Sequence, residues 1–438
     1  MKKISLWTAV LLALSVLPLS AAPLKTVRTE SFRPDARPGA EFKNAGNTWS
    51  VKLDEKTGDF GKWTAFYQLP EGAEACRFQV RHNAGMEAVL KNLIICTVNW
   101  LDAKGTILRS ATVDADKNGV FTGTLRRPEG AEMAAVSMGV RYYFKEVTFS
   151  DVICEPVSVP VRKVRIVVSK VTPASGGKAA CEDNQQRMEY VLKELERVGE
   201  KPDLVVFPET LLTRWVKNLG INKGAQPIPG PHTHWAGKWA KKLNTNIVVS
   251  LRELKDGCVF NSAAVIDRAG NVVGVYRKTQ LTIGEYGNGY DWGTELPVFD
   301  LDFGKIGVLI CWDLWFPEAV RALRLKGAEV ITYPIASTGR LHFDRMWRTR
   351  AMENGVVLAA SISGGESCPA RIITPDGELQ AEAYYPQTYA AATVDLDEWC
   401  SRKPCQTEQS GFFNIQGRHP ELYRGLSDLN GVYEQGEK

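Results

Sequence analysis

Gly307-Val308-Leu309-Ile310-Cys311-Trp312-Asp313-Leu314-Trp315-Phe316-Pro317-Glu318 is an apolar β-type run that stops at a cysteine, with a helix signal close behind. Pro317 suits the first position of a helix, where its missing N–H costs nothing. A strand that ends at a thiol and leads into a helix is the local pattern of a layered α/β domain. Cysteine is also among the most commonly buried residues, so its place alone does not make it reactive. Its company does. Val205-Val206-Phe207-Pro208-Glu209 ends a second apolar strand in a carboxylate, and Tyr276-Arg277-Lys278 ends a third in an ammonium. Strand ends that offer Glu, Lys and Cys are the parts of a nucleophilic acyl-transfer site.

Outward from that stretch, strands and helices alternate. Val164 to Val168 predicts a strand, and Met188, Val191, Leu192, Leu195 and Val198 fall on one face of a helix after it. A short helix near Trp235 to Leu243 and a strand over Asn246 to Ser250 follow. Asp267-Arg268-Ala269-Gly270-Asn271 then turns a hairpin whose second strand leads to Lys278. Further strands are expected at Glu329 to Pro334, Val356 to Ile362 and Arg371 to Thr374. Before about residue 155 the pattern differs. Short alternating runs such as Arg77 to Arg81 and Ile94 to Trp100 are separated by Pro70-Glu71-Gly72, Lys117-Asn118-Gly119 and Pro128-Glu129-Gly130. No convincing amphipathic helix interrupts them, which predicts a smaller all-β sandwich. The expected organisation is therefore a signal peptide over 1–22, a β-sandwich over 23–155 and a linker over 156–162. A layered α/β domain over 163–400 and a C-terminal extension over 401–438 complete it.

The leader reading rests on Lys2 and Lys3, the apolar run Leu6 to Leu17 and the small residues Ser20-Ala21-Ala22. That run is shorter than the ~20 residues of a spanning helix, so the expectation is an exported chain, periplasmic or extracellular, starting near Pro23. No cysteine sits at the cleavage site to carry a lipid. A formal net charge of +4 without a long basic run gives no support to nucleic-acid binding. The nine cysteines leave at least one thiol unpaired. Cys400 and Cys405 bracket a short loop and are best placed for a bridge. No CxxC pair occurs, and neither a metal nor a cofactor is expected.

The chemistry follows from elementary acidity. A free thiol titrates near ~8.5, so only a small fraction is thiolate at neutral pH and a base is needed. Glu209 fits that role. Attack by Cys311 on a carbonyl makes an oxyanion, which the Lys278 ammonium and the Trp312 backbone N–H would stabilise. Lys278 as a base would have to lose its charge beside a carboxylate, so the electrophilic role is the better one.

The blocks Phe207-Pro208-Glu209, Tyr276 to Leu281, Phe303 to Asp313 with Phe316-Pro317-Glu318, and Arg350 to Gly355 followed by Ile373 to Gly377 together resemble the nitrilase, or carbon–nitrogen hydrolase, superfamily. The resemblance covers roughly residues 161 to 400. It implies a four-layer α-β-β-α sandwich, a Glu209-Lys278-Cys311 triad and, often, a homodimer formed through helical faces. Glu285 resembles the family's second glutamate, which would orient Lys278 and the attacking water, with Glu295 a weaker rival. Gln280 stands where many relatives have His. Cys311-Trp312-Asp313 departs from the Cys-Trp-Glu common in nitrilases, which leans toward amides. The expected substrate is a small linear amide or N-carbamoyl compound. Nitrile hydrolysis and acyl transfer are the alternatives on the same site, although this chain lacks the membrane helices of the relatives that acylate lipoproteins.

Other residues carry competing readings. Trp312, Tyr286, Trp315, Tyr333 and the loop 337–340 are candidates for oxyanion or substrate contacts. Asp313 either meets ligand or caps the following helix, Glu318 suits a helix's first turn, and Arg350 with Glu353 reads as a structural ion pair. His232 and His234 read as solvated loop residues sooner than as metal ligands, and His342 is the only histidine near Cys311 that a Cys-His protease could use. Trp49, Trp63, Tyr67, Trp100, Tyr142 and Tyr143 fit a sandwich core better than a carbohydrate platform. A binding or adhesion protein on a silent hydrolase scaffold is the reading from another class.

Overall fold

Period-2 alternation in the first third of the chain produces ten strands between Thr26 and Val157. In this computed structural model the described residues are 22–397, apart from 34–37, 91–92, 114, 117, 160–161, 215, 218, 337–342 and 366–367. They divide into two compact units, Met1–Pro160 and Val161–Lys438. The predicted Cys400–Cys405 bridge, the leader and His342 lie outside the described residues. The seven described cysteines are free.

The ten strands of the first unit form two five-stranded antiparallel sheets. Inward residues of both sheets, among them Val51, Phe78, Val98, Trp100, Val136 and Phe149, share one buried core. One five-residue helix, Met86–Leu90, interrupts the series; a single turn is too short to leave a helical period in the sequence. Trp49, Trp63, Tyr67 and Trp100 are buried in that core, and of the six aromatics only Tyr142 is exposed. The last strand, Val147–Val157, runs two residues into the expected linker, with Pro156 opposite Cys76 and Val157 opposite Ala75. Proline is tolerated because its strand pairs with Thr48–Leu53 only at residues 147–149, so beyond them it has one neighbour.

The second unit contains two six-stranded sheets. One runs in space Val272–Arg277, Cys258–Ile266, Asn246–Lys255, Leu204–Val206, Lys163–Ser169, Tyr389–Asp395. The other runs Val298–Leu301, Gly304–Val308, Val330–Ala336, Val357–Ser363, Ala370–Ile373, Leu379–Ala383. The central strands of each are parallel, and parallel pairs need crossovers, which the helices supply. Ile166, Val206, Val248 and Val265 of the first sheet meet Val308, Ile331, Tyr333 and Leu358 of the second in one core. Ser361 Oγ, in the second sheet, donates to Ser169 O in the first at 2.8 Å.

Helices Ala180–Arg197 and Pro231–Leu243 bury Met188, Leu192, Leu195, Ala236 and Trp239 against the other face of the first sheet. Helices Pro317–Leu325 and Phe343–Asn354 contribute Val320, Leu323, Trp347 and Ala351 to the core that holds the second sheet. Val198, expected on the packed face, is 50% exposed because it is already the C-cap. The helix expected near Trp235 starts earlier, with Pro231 at its first turn. Among the described residues no helix is long and apolar enough to cross a membrane.

Candidate active site

Parallel strands with crossover helices bring their C-terminal ends to one edge of a sheet, where loops can hold reactive groups. Glu209 lies three residues beyond the strand Leu204–Val206, and Cys311 three beyond Gly304–Val308. Lys278 directly follows the edge strand Val272–Arg277. The three meet in a cleft of about 600 Å³, together with Glu285, Asn261 and Ala336.

Lys278 is 1% exposed and Glu209 3%. The ammonium donates to Glu209 Oε1 at 3.0 Å and to both oxygens of Glu285 at 2.9 and 2.8 Å. Burial opposes its charge, but the charges of Glu209, Cys311 and Glu285 together push its pKa well above the ordinary lysine value. For Glu285, burial is the largest influence and works upward, but the Lys278 charge together with hydrogen bonds from Lys278, Thr282 and Asn261 outweighs it, with a net lowered pKa. Thr282 closes a capping box with Glu285, its N–H donating at 2.9 Å and its hydroxyl accepting from the Glu285 N–H at 3.2 Å. Glu295, the rival, is exposed and away from the cleft.

Cys311 adopts φ 48, in the left-handed region. A non-glycine residue there costs of order 1–2 kcal/mol and persists only where its surroundings fix it. Two groups do so. Tyr333, fully buried, donates its hydroxyl to Cys311 O at 2.6 Å. Asp313 accepts from the Ile310 N–H at 2.8 Å, the Gln280 N–H at 2.9 Å and the Tyr276 hydroxyl at 2.7 Å. Asp313 therefore clamps the cysteine turn to the loop that follows Lys278, and it caps a 3-10 turn, Cys311–Trp315, that precedes the expected helix. Burial raises its pKa to about 6 against those hydrogen bonds. Burial first, then the Glu209 charge, pushes the Cys311 thiol well above its ordinary value, with Lys278 opposing. The resting nucleophile is therefore the thiol.

The remaining candidates sit elsewhere. Tyr333 supports the nucleophile from beneath and is not a cleft wall. Tyr286 is 66% exposed and stacks on Trp292, while Trp312 and Trp315 lie against each other, centroids 5.2 Å apart; none of the three lines the cleft. These aromatics are near Lys278 and Cys311 in sequence, but the turn geometry points their rings outward. Arg350 pairs with Glu353 at 3.0 Å and donates to Leu314 O, fixing the far end of the cysteine turn. His232 is buried within a helix, not on a solvated loop, and His234 is exposed. Among the described residues no group of three or more His, Cys, Asp or Glu is placed to hold a metal ion.

Asn261 was not foreseen. Its side-chain amide donates to Glu209 Oε1 at 2.8 Å and to Glu285 Oε1 at 2.7 Å, and its backbone carbonyl accepts the Lys278 backbone N–H at 2.9 Å. The available signal was an amide inside the apolar strand Cys258–Ile266, where a buried polar group needs partners.

A family model described as carbon-nitrogen hydrolase matches residues 171–403. An N-carbamoylputrescine amidase of Solanum lycopersicum is 34% identical over 238 residues, covering 47% of this chain and 77% of the relative. One of Arabidopsis thaliana is 36% identical over 224 residues, covering 44% and 72%. In structure, a carbon-nitrogen hydrolase from Helicobacter pylori G27 superposes with a TM-score of 0.51 at 21% identity, covering 61% of this chain and 99% of that one. The chain belongs to the carbon-nitrogen hydrolase family, within the nitrilase superfamily, and is an enzyme that acts on C–N bonds other than peptide bonds.

Proposed function

We propose that this enzyme is an exported thiol hydrolase that opens a linear amide or N-carbamoyl C–N bond through a covalent Cys311 thioester. The observation that carries the reading is the buried ammonium of Lys278 shared between Glu209 and Glu285 in the cleft that contains Cys311. Glu209 takes the thiol proton as sulfur attacks the carbonyl carbon. Lys278, held charged, and the Trp312 N–H stabilise the oxyanion. Glu209 returns the proton to the leaving nitrogen, the C–N bond breaks, and an amine or ammonia departs. Water, deprotonated by the same carboxylate and oriented by Glu285, then hydrolyses the thioester and restores the thiol. An N-carbamoyl substrate gives an S-carbamoyl enzyme by the same steps, and its hydrolysis yields carbamic acid, which decomposes to carbon dioxide and ammonia. The plant relatives named as N-carbamoylputrescine amidases support the carbamoyl branch.

Export is supported by the charged start, apolar run and small residues before Pro23. An α-β-β-α layering is supported by the core shared between the two sheets and by the helices packed on their other faces. For the first unit, a β-sandwich is supported by the single core its two sheets share. Burial of four of its aromatics disfavours the carbohydrate platform. A homodimer stays a family-based expectation, tested by light scattering of the mature chain. The catalytic reading is tested by steady-state release of amine or ammonia from amides and N-carbamoyl amines by the wild-type and Cys311→Ala proteins. Turnover lost with the fold retained is the expected outcome, and equal turnover would refute it.

A further inference from the structure

Besides the residues that do the chemistry, the active-site cleft is lined by Arg214, Arg252 and Tyr290. Arg214 follows the short turn Leu211–Thr213, and Arg252 lies on the strand Asn246–Lys255. Both are half-buried, a position in which a guanidinium ordinarily takes a carboxylate partner. Among the described residues neither has one: the ion pairs of this unit engage Arg162, Arg165, Arg197, Arg268, Arg277, Arg348, Arg350 and Arg371. The Nε of Arg252 is buried without any hydrogen-bond partner. The cleft's carboxylates, Glu209 and Glu285, are already committed to Lys278 and Asn261. The wall thus presents three cations against two carboxylates, with the surplus on the two arginines. Tyr290 lines the same cleft and adds a hydroxyl to this wall.

Resting on the hydrolytic reading above, we propose that the substrate is acidic: an amide or N-carbamoyl compound with a carboxylate on the group beyond the scissile bond, held by Arg252 and Arg214. An N-carbamoyl amino acid has this form. A carboxylate would satisfy the idle donors and balance the cleft's charge, since guanidinium groups match carboxylates in geometry as well as charge. A cationic substrate, such as an N-carbamoyl diamine, would bring an ammonium toward two arginines and find no uncommitted carboxylate. This selection concerns the distal end of the substrate and leaves the chemistry at Cys311 unchanged.

The test is a matched series on the full-length mature enzyme: N-carbamoyl-β-alanine, its methyl ester and N-carbamoylputrescine. The expected kcat/KM for the acid exceeds that for the ester by about 10- to 100-fold, the range of a charge-assisted hydrogen bond. In Arg252→Gln the acid's KM rises about tenfold more than the ester's, and Arg252→Lys recovers part of the difference. A wild-type enzyme that hydrolyses the ester or the diamine as well as the acid overturns the acidic-substrate proposal and leaves the hydrolase reading standing. Hydrolysis of none of the three nor of simple amides, with Cys311 still titratable by a thiol reagent in the folded protein, overturns both. The wild-type comparison stands even if a variant fails to fold.

Discussion

With its ammonium 3.0 Å from Glu209 and 2.8 Å from Glu285, Lys278 supplies the positive charge that offsets two carboxyl groups in a buried site. Replacing it by methionine leaves like charges that share the amide of Asn261. Lys278→Met is predicted to lower turnover by at least about a thousandfold and to cost about 3–5 kcal/mol of stability at pH 8. Its pH dependence should also change sign. In the wild type the folded Glu285 pKa lies below 4.5, so its stabilisation is present above that value and lost as pH falls. In the variant one carboxyl is raised above its unfolded value, so stability is fully present below it and lost as pH rises. Urea unfolding at pH 5 and pH 8 reads the difference, and a variant that is equally stable at both would contradict the account. At Asn261, alanine is predicted to lower kcat about tenfold or more and to cost about 1–3 kcal/mol for the carboxylate oxygens it leaves unpaired. Aspartate is predicted to be worse at pH 8 and to recover partly in acid, which activity assays with circular dichroism at both pH values would check. Glu209, Lys278 and Cys311 were legible in sequence because each follows an apolar strand. Asn261, Arg214 and Arg252 were not, because their significance depends on which partners they have or lack across strands distant in sequence.

Helix Pro231–Leu243 shows what governs stability at the scale of an element. Gly237 on that helix meets Gly270 in the hairpin turn that precedes Val272–Arg277, and a Cβ at Gly237 would sit 2.5 Å from Gly270 O. Gly237→Ala must push the helix off the turn and is predicted to cost about 1–3 kcal/mol, read as a lower urea midpoint at unchanged slope; a stability equal to wild type would show that the contact is soft. In the first turn of this helix, His232 is buried with its ring stacked on Trp235, 5.2 Å between centroids, and its pKa is pushed down to about 4 by burial. The folded value lies below the ordinary 6.5, so the unfolded chain binds more protons between pH 6.5 and 4 and stability falls as the solution is acidified through that window. The contribution is on the order of 3 kcal/mol. His232→Phe is predicted to flatten that part of the acid limb, and an unchanged limb would assign the loss to other groups. The helix was visible in the sequence, but its histidine was misplaced onto a solvated loop. The boundary error of a few residues decided that reading, because Pro231 opens the helix before His232 rather than after it.

For the whole molecule, the two-unit organisation was readable from the change between period-2 runs and alternating strands and helices. The divide at residue 160 falls inside the expected linker, whose first two residues instead extend the strand Val147–Val157. Export is a claim at this scale as well: expressed with its own leader in a bacterial host, the chain should yield a mature N-terminus at Pro23, and recovery of an intact Met1 would refute it. The pairing of Glu209 with Lys278 across 69 residues, and their convergence with Cys311, is what the two sheets accomplish together. That convergence is tested most directly by intact-mass spectrometry of the mature protein after incubation with a panel of amides and N-carbamoyl compounds. The account predicts a transient acyl or carbamoyl adduct on Cys311 in the wild type and none in Cys311→Ala. Substrate turnover by Cys311→Ala at the wild-type rate, with no adduct in either protein, would contradict it.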